Sequence, residues 1–423
     1  MSKFRCAWVA NSADNKHSWG IFAPPPNSPV PQESDGSYFP LTKQREGTPV
    51  EDSYVLLAGK SLDKAMGAIR DGSLHAYPCG LSSLSPASCV SSLTELRRFN
   101  FGPISHLFGI TPADPLQIAV TSPELRGRPC EFEFSLFPQE FPAGTLMQLP
   151  GNILVPSFEQ YFIQKARSLK FEHLVLLGME LCGRYAHRTP GIGSTTCDYL
   201  VDSAMSADSL RAHIKKASGM MGSKQARVAA QWIIDNAYSP RESVIALEQY
   251  LQPRRGGRGY PMPKLNIEVD IPPSLRGLAA RDVFMPDIYW EGMLDVEYDS
   301  GYHNERDQIE KDKARVADIQ AVGIPVISAT RLSLSTCERA ELLGRQIGAK
   351  LAESLGTPMR RHLSRLDSTV RQAERAQLHV RLMRLIGTPI SNLQGNFGFD
   401  EQLDGIDLQP NFEFAADSWP YDE

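Results

Sequence analysis

The sequence predicts an α/β (α+β) protein, with a mixed sheet flanked by helices in its C-terminal half and a smaller N-terminal α/β domain. Three observations carry that prediction. The 423 residues are 42% hydrophobic and 22% charged, the composition of a globular chain long enough for two or three domains. Between 116 and 156, short β-prone runs (LQIAV, FEFSLF, TLMQL, NILVP) recur with turn residues between them. From Ser239 onward, helical and strand patterns follow one another in the order α-β-β-β-α-β-α, which suits a mixed sheet with a crossover helix.

Taken in order, residues 1–53 are rich in Pro, Ser, Asn and Gly and read as an irregular segment. A first α/β domain is placed at 54–200. It opens with a helix over Ser61–Ile69, continues through the four β-prone runs, and includes an amphipathic helix over Ser157–Lys170. A second domain is placed at 221–350. Its first helix starts at Ser239-Pro240-Arg241-Glu242 and runs to Leu251, followed by a flexible loop, PRRGGRG, over Pro253–Gly259. A strand over Leu265–Ile271, a hairpin at 285–299, a charged helix at 304–322 and an apolar strand at 324–330 come next. The capping box Ser335-x-x-Glu338 starts the following helix. A basic helical extension, 351–396, and an acidic tail, 397–423, complete the chain.

Charge is unevenly distributed. The eight acids between Asp400 and Glu423 stand without any Lys or Arg, and setting them aside turns the net charge from −5 to +3. Pro358–Ile386 carries seven arginines against Asp367 and Glu374. That asymmetry is compatible with a nucleic-acid partner but does not establish one, because a charge run is more often a solvated helix face. No run of eighteen apolar residues exists, so no membrane span is expected. The first eighteen residues lack the apolar core of a secretory signal. Seven scattered cysteines without a CxxC pair support neither a disulfide framework nor a zinc site, and a cytoplasmic location is the natural reading.

The most informative stretch is Pro286–Asp299, PDIYWEGMLDVEYD. It reads as a tight β-hairpin. Side chains alternate along a strand, so Ile288 and Trp290 share a face with Val296 and Tyr298. The opposite face then carries Asp287 on the first arm and Asp295, Glu297 and Asp299 on the second. Four clustered carboxylates repel one another unless a cation or a basic partner sits among them. Hard divalent cations take oxygen ligands of this kind. Other motifs fail. Ala58-Gly59-Lys60-Ser61 resembles the end of a phosphate loop, but the glycine required five positions before Gly59 is Tyr54. Gly191-Ile192-Gly193 lacks a third glycine, and no HExxH, GxSxG or kinase signature is present.

The strings SPRES, PDIYWEGMLDVEYDSGYH and KDKARVADIQAVGIPVISAT together resemble the PD-(D/E)XK restriction-endonuclease-like superfamily, in the branch related to very-short-patch-repair endonucleases. The resemblance covers about 239–350 and implies a restriction-endonuclease-like mixed sheet and hydrolysis of DNA phosphodiester bonds. It implies that Asp287 and Glu297 hold Mg²⁺ (or Mn²⁺), with Glu242 and Asp299 as further ligands. Glu242 would complete the acidic site, and His303 would act as general base or proton donor. The lysine expected two residues after the second metal carboxylate is replaced by Asp299, and the glycine that usually follows is Ser300. Upstream, PAGTLMQLPGNILVPSFEQYFIQKA with GMELCGRY resembles the non-catalytic region of proteins described as abortive-infection antitoxin-like. That second resemblance carries no chemistry and suggests a role in phage defence, with the first domain contacting a protein partner, DNA or only the second domain. A catalytically inactive, DNA-binding regulator is the alternative.

Several of these residues also have structural explanations. Glu242 sits three positions after Ser239 and completes a capping box on its own. Asp312 and Arg315 form an i,i+3 helix pair. Arg254, Arg255 and Arg258, and Arg360 and Arg361 beyond them, are candidate phosphate contacts or solvated charges. His303 can equally pair with Glu305 or Asp307. Asp295 reads as peripheral.

Overall fold

The computed structural model describes residues 54–79, 92–120, 130–136, 141, 144–187, 197–279, 282–299 and 306–388. In it the β-prone runs of the N-terminal half join into one six-stranded mixed sheet. Its strands are β1 (Val55–Leu57), β2 (Tyr77–Pro78), β3 (Leu116–Val120), β4 (Phe132–Leu136), β5 (Leu146–Leu149) and β6 (Ile153–Pro156). They lie in the order β2-β5-β6-β1-β3-β4. The β1/β6 and β3/β4 pairs are parallel and the others antiparallel. This sheet has more strands than the one that follows it, so the N-terminal part is not the lesser β-structure of the molecule.

Helix α1 (Gly59–Arg70) follows β1 directly. The Ala58-Gly59-Lys60-Ser61 turn thus does lie between a strand and a helix, but its serine hydroxyl accepts a bond from the Gln117 N–H at 2.9 Å and ties α1 to β3. Beyond the short α2 (Leu93–Arg98), the single helix expected over 157–170 is two helices, α3 (Phe158–Lys165) and α4 (Phe171–Leu181). The N–H groups of Ser168 and Leu169 both return to the Lys165 carbonyl (3.0 and 2.9 Å), which closes α3 before the chain turns. A two-stranded ribbon, β7 (Tyr185–His187) with β8 (Cys197–Tyr199), and the helices α5 (Ala207–Lys216) and α6 (Ser223–Ala230) lead into the second half.

There α7 (Pro240–Tyr250) begins as expected, with Ser239 accepting from the Glu242 N–H and Pro240 at the first helical position. The strand expected over 265–271 is split into β9 (Lys264–Leu265) and β10 (Val269–Asp270). Asn266, at φ +45°, breaks it. β10 pairs with β11 (Val283–Phe284) in a separate ribbon, while β9 pairs with the hairpin β12 (Ile288–Trp290) and β13 (Leu294–Asp299). Helix α8 (Arg306–Ala321) then crosses over to β14 (Val326–Thr330), which lies parallel to β13. The sheet order is β14-β13-β12-β9.

The next helix, α9 (Cys337–Leu355), is capped by Thr336 rather than Ser335; the Ser335 hydroxyl instead donates to the Leu332 carbonyl at 2.8 Å. The basic stretch 358–386 is two helices, α10 (Thr357–Leu366) and α11 (Thr369–Leu385), with Ser368 capping the second. One hydrophobic cluster runs without interruption from Val55 to Met383. It includes Phe162 and Met179 from the first half and Trp290, Val296, Ile347 and Leu378 from the second.

Candidate functional site

Pairing register places the acidic residues. Ile288 faces Val296, Tyr289 faces Asp295 and Trp290 faces Leu294, with Gly292 at φ +68° closing the turn. Ile288, Trp290, Leu294 and Val296 therefore point into the core, each at most 1% exposed. Asp287, Asp295 and Glu297 alternate onto the opposite face, as the sequence pattern predicts. That face is covered as well: Ile319 of α8 packs there with Ile271 and Phe284 in a small apolar cluster. Asp295 is fully buried and Glu297 is 6% exposed.

Arg315 of α8 supplies the compensating cation. Its guanidinium bonds to Glu297 Oε2, stands 3.9 Å from Asp287 Oδ1 and donates to the Met285 carbonyl at 3.2 Å. Asp287 and Glu297 thus converge on a single positive group from adjacent strands. Asp287 Oδ2 also accepts from the Tyr298 N–H at 2.7 Å. The remaining oxygens are poorly served: no donor group reaches either oxygen of Asp295 or Oε1 of Glu297, and the two carboxyls have only each other to share a proton with. Burial first, and neighbouring carboxylates second, push the Glu297 carboxyl well above the usual range. Asp295 is raised too, again chiefly by burial. Asp295 is therefore no peripheral residue. It was misjudged because the sequence does not say that α8 lies over this face.

Glu242 reaches the same neighbourhood from the first turn of α7. Its Oε2 accepts from the Tyr238 N–H (2.9 Å) and from Asn266 Nδ2 (2.7 Å). The capping box is accordingly only half formed: Ser239 caps the helix, while the glutamate bonds one residue further out. Burial, then the charge of Asp287, raises its pKa. The unusual backbone at Asn266 thus has a local role, aiming its amide at Glu242 and at the Asn236 carbonyl.

Comparison with protein-family models, with curated proteins and with solved structures finds no match to this chain. The reading of the site rests on its own geometry.

The other expected residues divide. Asp299 ends β13 on the exposed rim, and His303 lies outside the described residues. Among the described residues, no three His, Cys, Asp or Glu side chains gather closely enough to hold a metal ion together. The set Asp287, Glu297, Glu242 and Asp299 is thus not assembled as one ligand shell. Arg258 is buried at 4% exposure and bonds Glu341 at 2.8 Å, so it is not a surface contact for phosphate. Arg255 lies over the Phe171 ring at 3.7 Å, and Arg254 is exposed. The loop that holds them is not flexible in the way its glycines suggest: a Cβ on Gly256 would stand 2.7 Å from the Glu374 carbonyl oxygen. Arg360 and Arg361 are exposed on α10 together with Arg365. The sequence reading missed Arg315 as part of the site, having treated it as half of a helix pair with Asp312. No helix among the described residues is long and apolar enough to cross a membrane.

Proposed function

We propose that the acidic face of β12 and β13 is a cation-dependent centre for hydrolysing DNA phosphodiester bonds, built in the restriction-endonuclease-like manner. The observation that carries this reading is the convergence of Asp287 and Glu297 on one cationic group, in a sheet where β9, β12 and β13 are followed by the crossover helix α8 and the parallel strand β14. A mixed sheet with a crossover helix is compatible with that reading.

The residues fit a hard divalent cation in their chemistry. Buried carboxyls that no donor group reaches are costly unless a proton shared between them or a cation joins them. Mg²⁺ is commonly held by one or two carboxylates, leaving its other positions to water and phosphate. Asp287 and Glu297 would hold the ion, with Asp295 beneath them contributing negative charge. Bound there, the cation would polarise a phosphoryl oxygen and ease deprotonation of an attacking water. Arg315 bridges the two carboxylates and offsets their charge. Asn266 and the Tyr238 N–H hold Glu242 at the border of the site. Its raised pKa suits a group that takes up or releases a proton near neutrality.

Nicking of supercoiled plasmid tests the reading. The purified protein is expected to nick in Mg²⁺ or Mn²⁺ and not in chelator, and Asp287→Ala and Glu297→Ala are each expected to abolish it. Undiminished cleavage by both variants would remove the assignment. A second reading draws on the bond between Arg315 and Glu297 and on Asp299 at the position of the expected lysine: the chain binds DNA without cutting it. Binding that falls steeply with salt, and no cleavage with any divalent ion, would favour that reading.

A further inference from the structure

The carboxyl ends of β13 and β14 carry a second group of side chains, on the side of the hairpin away from Asp295 and Glu297. Register sets Tyr298 opposite Ala329 and Asp299 opposite Thr330, and Arg331 follows at once. Arg241 approaches from the first turn of α7, one residue before Glu242. This arginine is half-buried and its guanidinium meets the Tyr298 hydroxyl. Burial raises the Tyr298 pKa, while the charge of Arg241 and, after it, that of Arg331 oppose the rise. Both cations therefore lie within electrostatic reach of one oxygen.

Neither cation is neutralised. Arg258 and Arg315 each end on a glutamate, but among the described residues no carboxylate forms an ion pair with Arg241 or Arg331. The Arg241 Nε is buried without an acceptor. The Tyr298 oxygen is buried as well; it can take an N–H of Arg241, which leaves its own O–H with nothing to donate to. Glu242 is within reach of the same hydroxyl, yet its Oε2 is committed to the Tyr238 N–H and the Asn266 amide. Its pKa, raised to about 7, also leaves it roughly half protonated near neutrality. Because Glu242 senses Asp287 on one side and Tyr298 on the other, this group of donors borders the acidic face. A half-buried guanidinium without an anion is costly. A guanidinium fork joined by a hydroxyl and a second arginine is a donor set that suits the oxygens of a phosphate.

We propose that Arg241, Arg331 and the Tyr298 hydroxyl hold one phosphate of a nucleic-acid backbone, seated beside the acidic face of the hairpin. The proposal rests on the nucleic-acid reading of that face but not on cleavage there. Anisotropy of a fluorescein-labelled DNA duplex, measured with the full chain in chelator over a range of salt, tests it. Arg241→Gln and Arg331→Gln should each weaken binding roughly tenfold. Each should also make the dependence of log affinity on log salt shallower by about 1. Tyr298→Phe should weaken binding and leave that slope alone, because it removes a hydrogen bond and no charge. Arg227→Gln, exposed on α6, should change neither quantity. Arg241→Gln should melt no lower than the wild type, because it removes an unbalanced cation, and inorganic phosphate at matched ionic strength should raise its melting temperature less. Absence of duplex binding by the wild type, affinities and slopes unchanged in both arginine variants, or an equal loss in Arg227→Gln would each overturn the proposal. So would a lower melting temperature for Arg241→Gln, or stabilisation by inorganic phosphate with duplex affinity unchanged in the variants. Absence of nicking with these binding effects intact would strike the hydrolytic reading alone.

Discussion

Arg315 shows how a single residue can reverse the meaning of a pattern. Alternation alone places Asp287, Asp295 and Glu297 on one face, and that part was legible in the sequence. The compensating cation was not, because it comes from a helix eighteen residues beyond Glu297 whose orientation depends on the packing of Ile319. The Arg315→Gln variant is expected to lose stability, by about 3 kcal/mol, because it leaves the partly buried Asp287 without its cation and the Glu297 carboxyl without its guanidinium hydrogen bond. Millimolar Mn²⁺ should restore more melting temperature to this variant than it adds to the wild type. Equal shifts in the two proteins would show that Arg315 and a cation do not compete for Glu297. Glu341 behaves in the opposite way. Burial alone would raise its pKa, but Arg375, Arg258 and Arg345 overcome that and hold it down at about 2. A depressed carboxylate stabilises the fold above its ordinary pKa and loses that contribution as pH falls through the folded value. Acid titration of Glu341→Gln should accordingly show a flatter loss of stability between about pH 4.5 and 2 than the wild type, the difference amounting to about 3 kcal/mol. Parallel acid curves would remove the three-arginine account.

At the scale of elements, the hairpin, the crossover helix and the parallel strand β14 were all readable, because strand alternation, turn glycine and charged helix each leave a local mark. The failures have two causes. The split at Asn266 goes with its amide's bonds to the distant Asn236 and Glu242, whereas the division at Asp367-Ser368 and the α9 cap at Thr336 are local choices among neighbouring Ser and Thr caps that the sequence leaves open. Arg258 is the plainest case of the first kind: a glycine-spaced arginine in a loop looks mobile, yet its N–H bonds the Glu248 carbonyl at 3.0 Å and its guanidinium is buried on Glu341. The pair formed by His379 and Glu248 clamps α11 onto α7. Burial alone would lower the His379 pKa, but the carboxylate and the Leu334 carbonyl raise it above 6.5. The sign follows. A raised histidine contributes its full stability below its unfolded pKa and loses it as pH climbs through the folded value. Thermal melts from about pH 6 to 9 should therefore decline in the wild type, while His379→Gln should melt lower throughout and vary less with pH. A wild-type curve that rises over this window would contradict the clamp.

The described residues are held by a core that ignores the boundary suggested by the two larger sheets. Arg255 of the second half lies over Phe171 of the first, Arg381 pairs with Glu172 at 3.3 Å, and the Tyr250 hydroxyl lies 3.9 Å from the Met179 Sδ. Composition shifts along a sequence suggest domains, but they do not record which apolar faces meet. A fragment comprising 221–396 is expected to be insoluble or molten, because α7 and α11 would lose their packing against α4. The full chain should show a single calorimetric unfolding transition. A soluble, cooperatively folded fragment would show that the shared core is dispensable.

The central claim is that the acidic face of the hairpin is a site for a divalent cation. Titration of Mn²⁺ into the metal-free chain, followed by calorimetry or by the paramagnetic resonance of free Mn²⁺, tests it most directly. The account predicts saturable binding that is lost in both Asp287→Asn and Glu297→Gln while both variants keep their fold. Binding that persists unchanged in the two variants, or that is absent from the wild type at every accessible concentration, would contradict it.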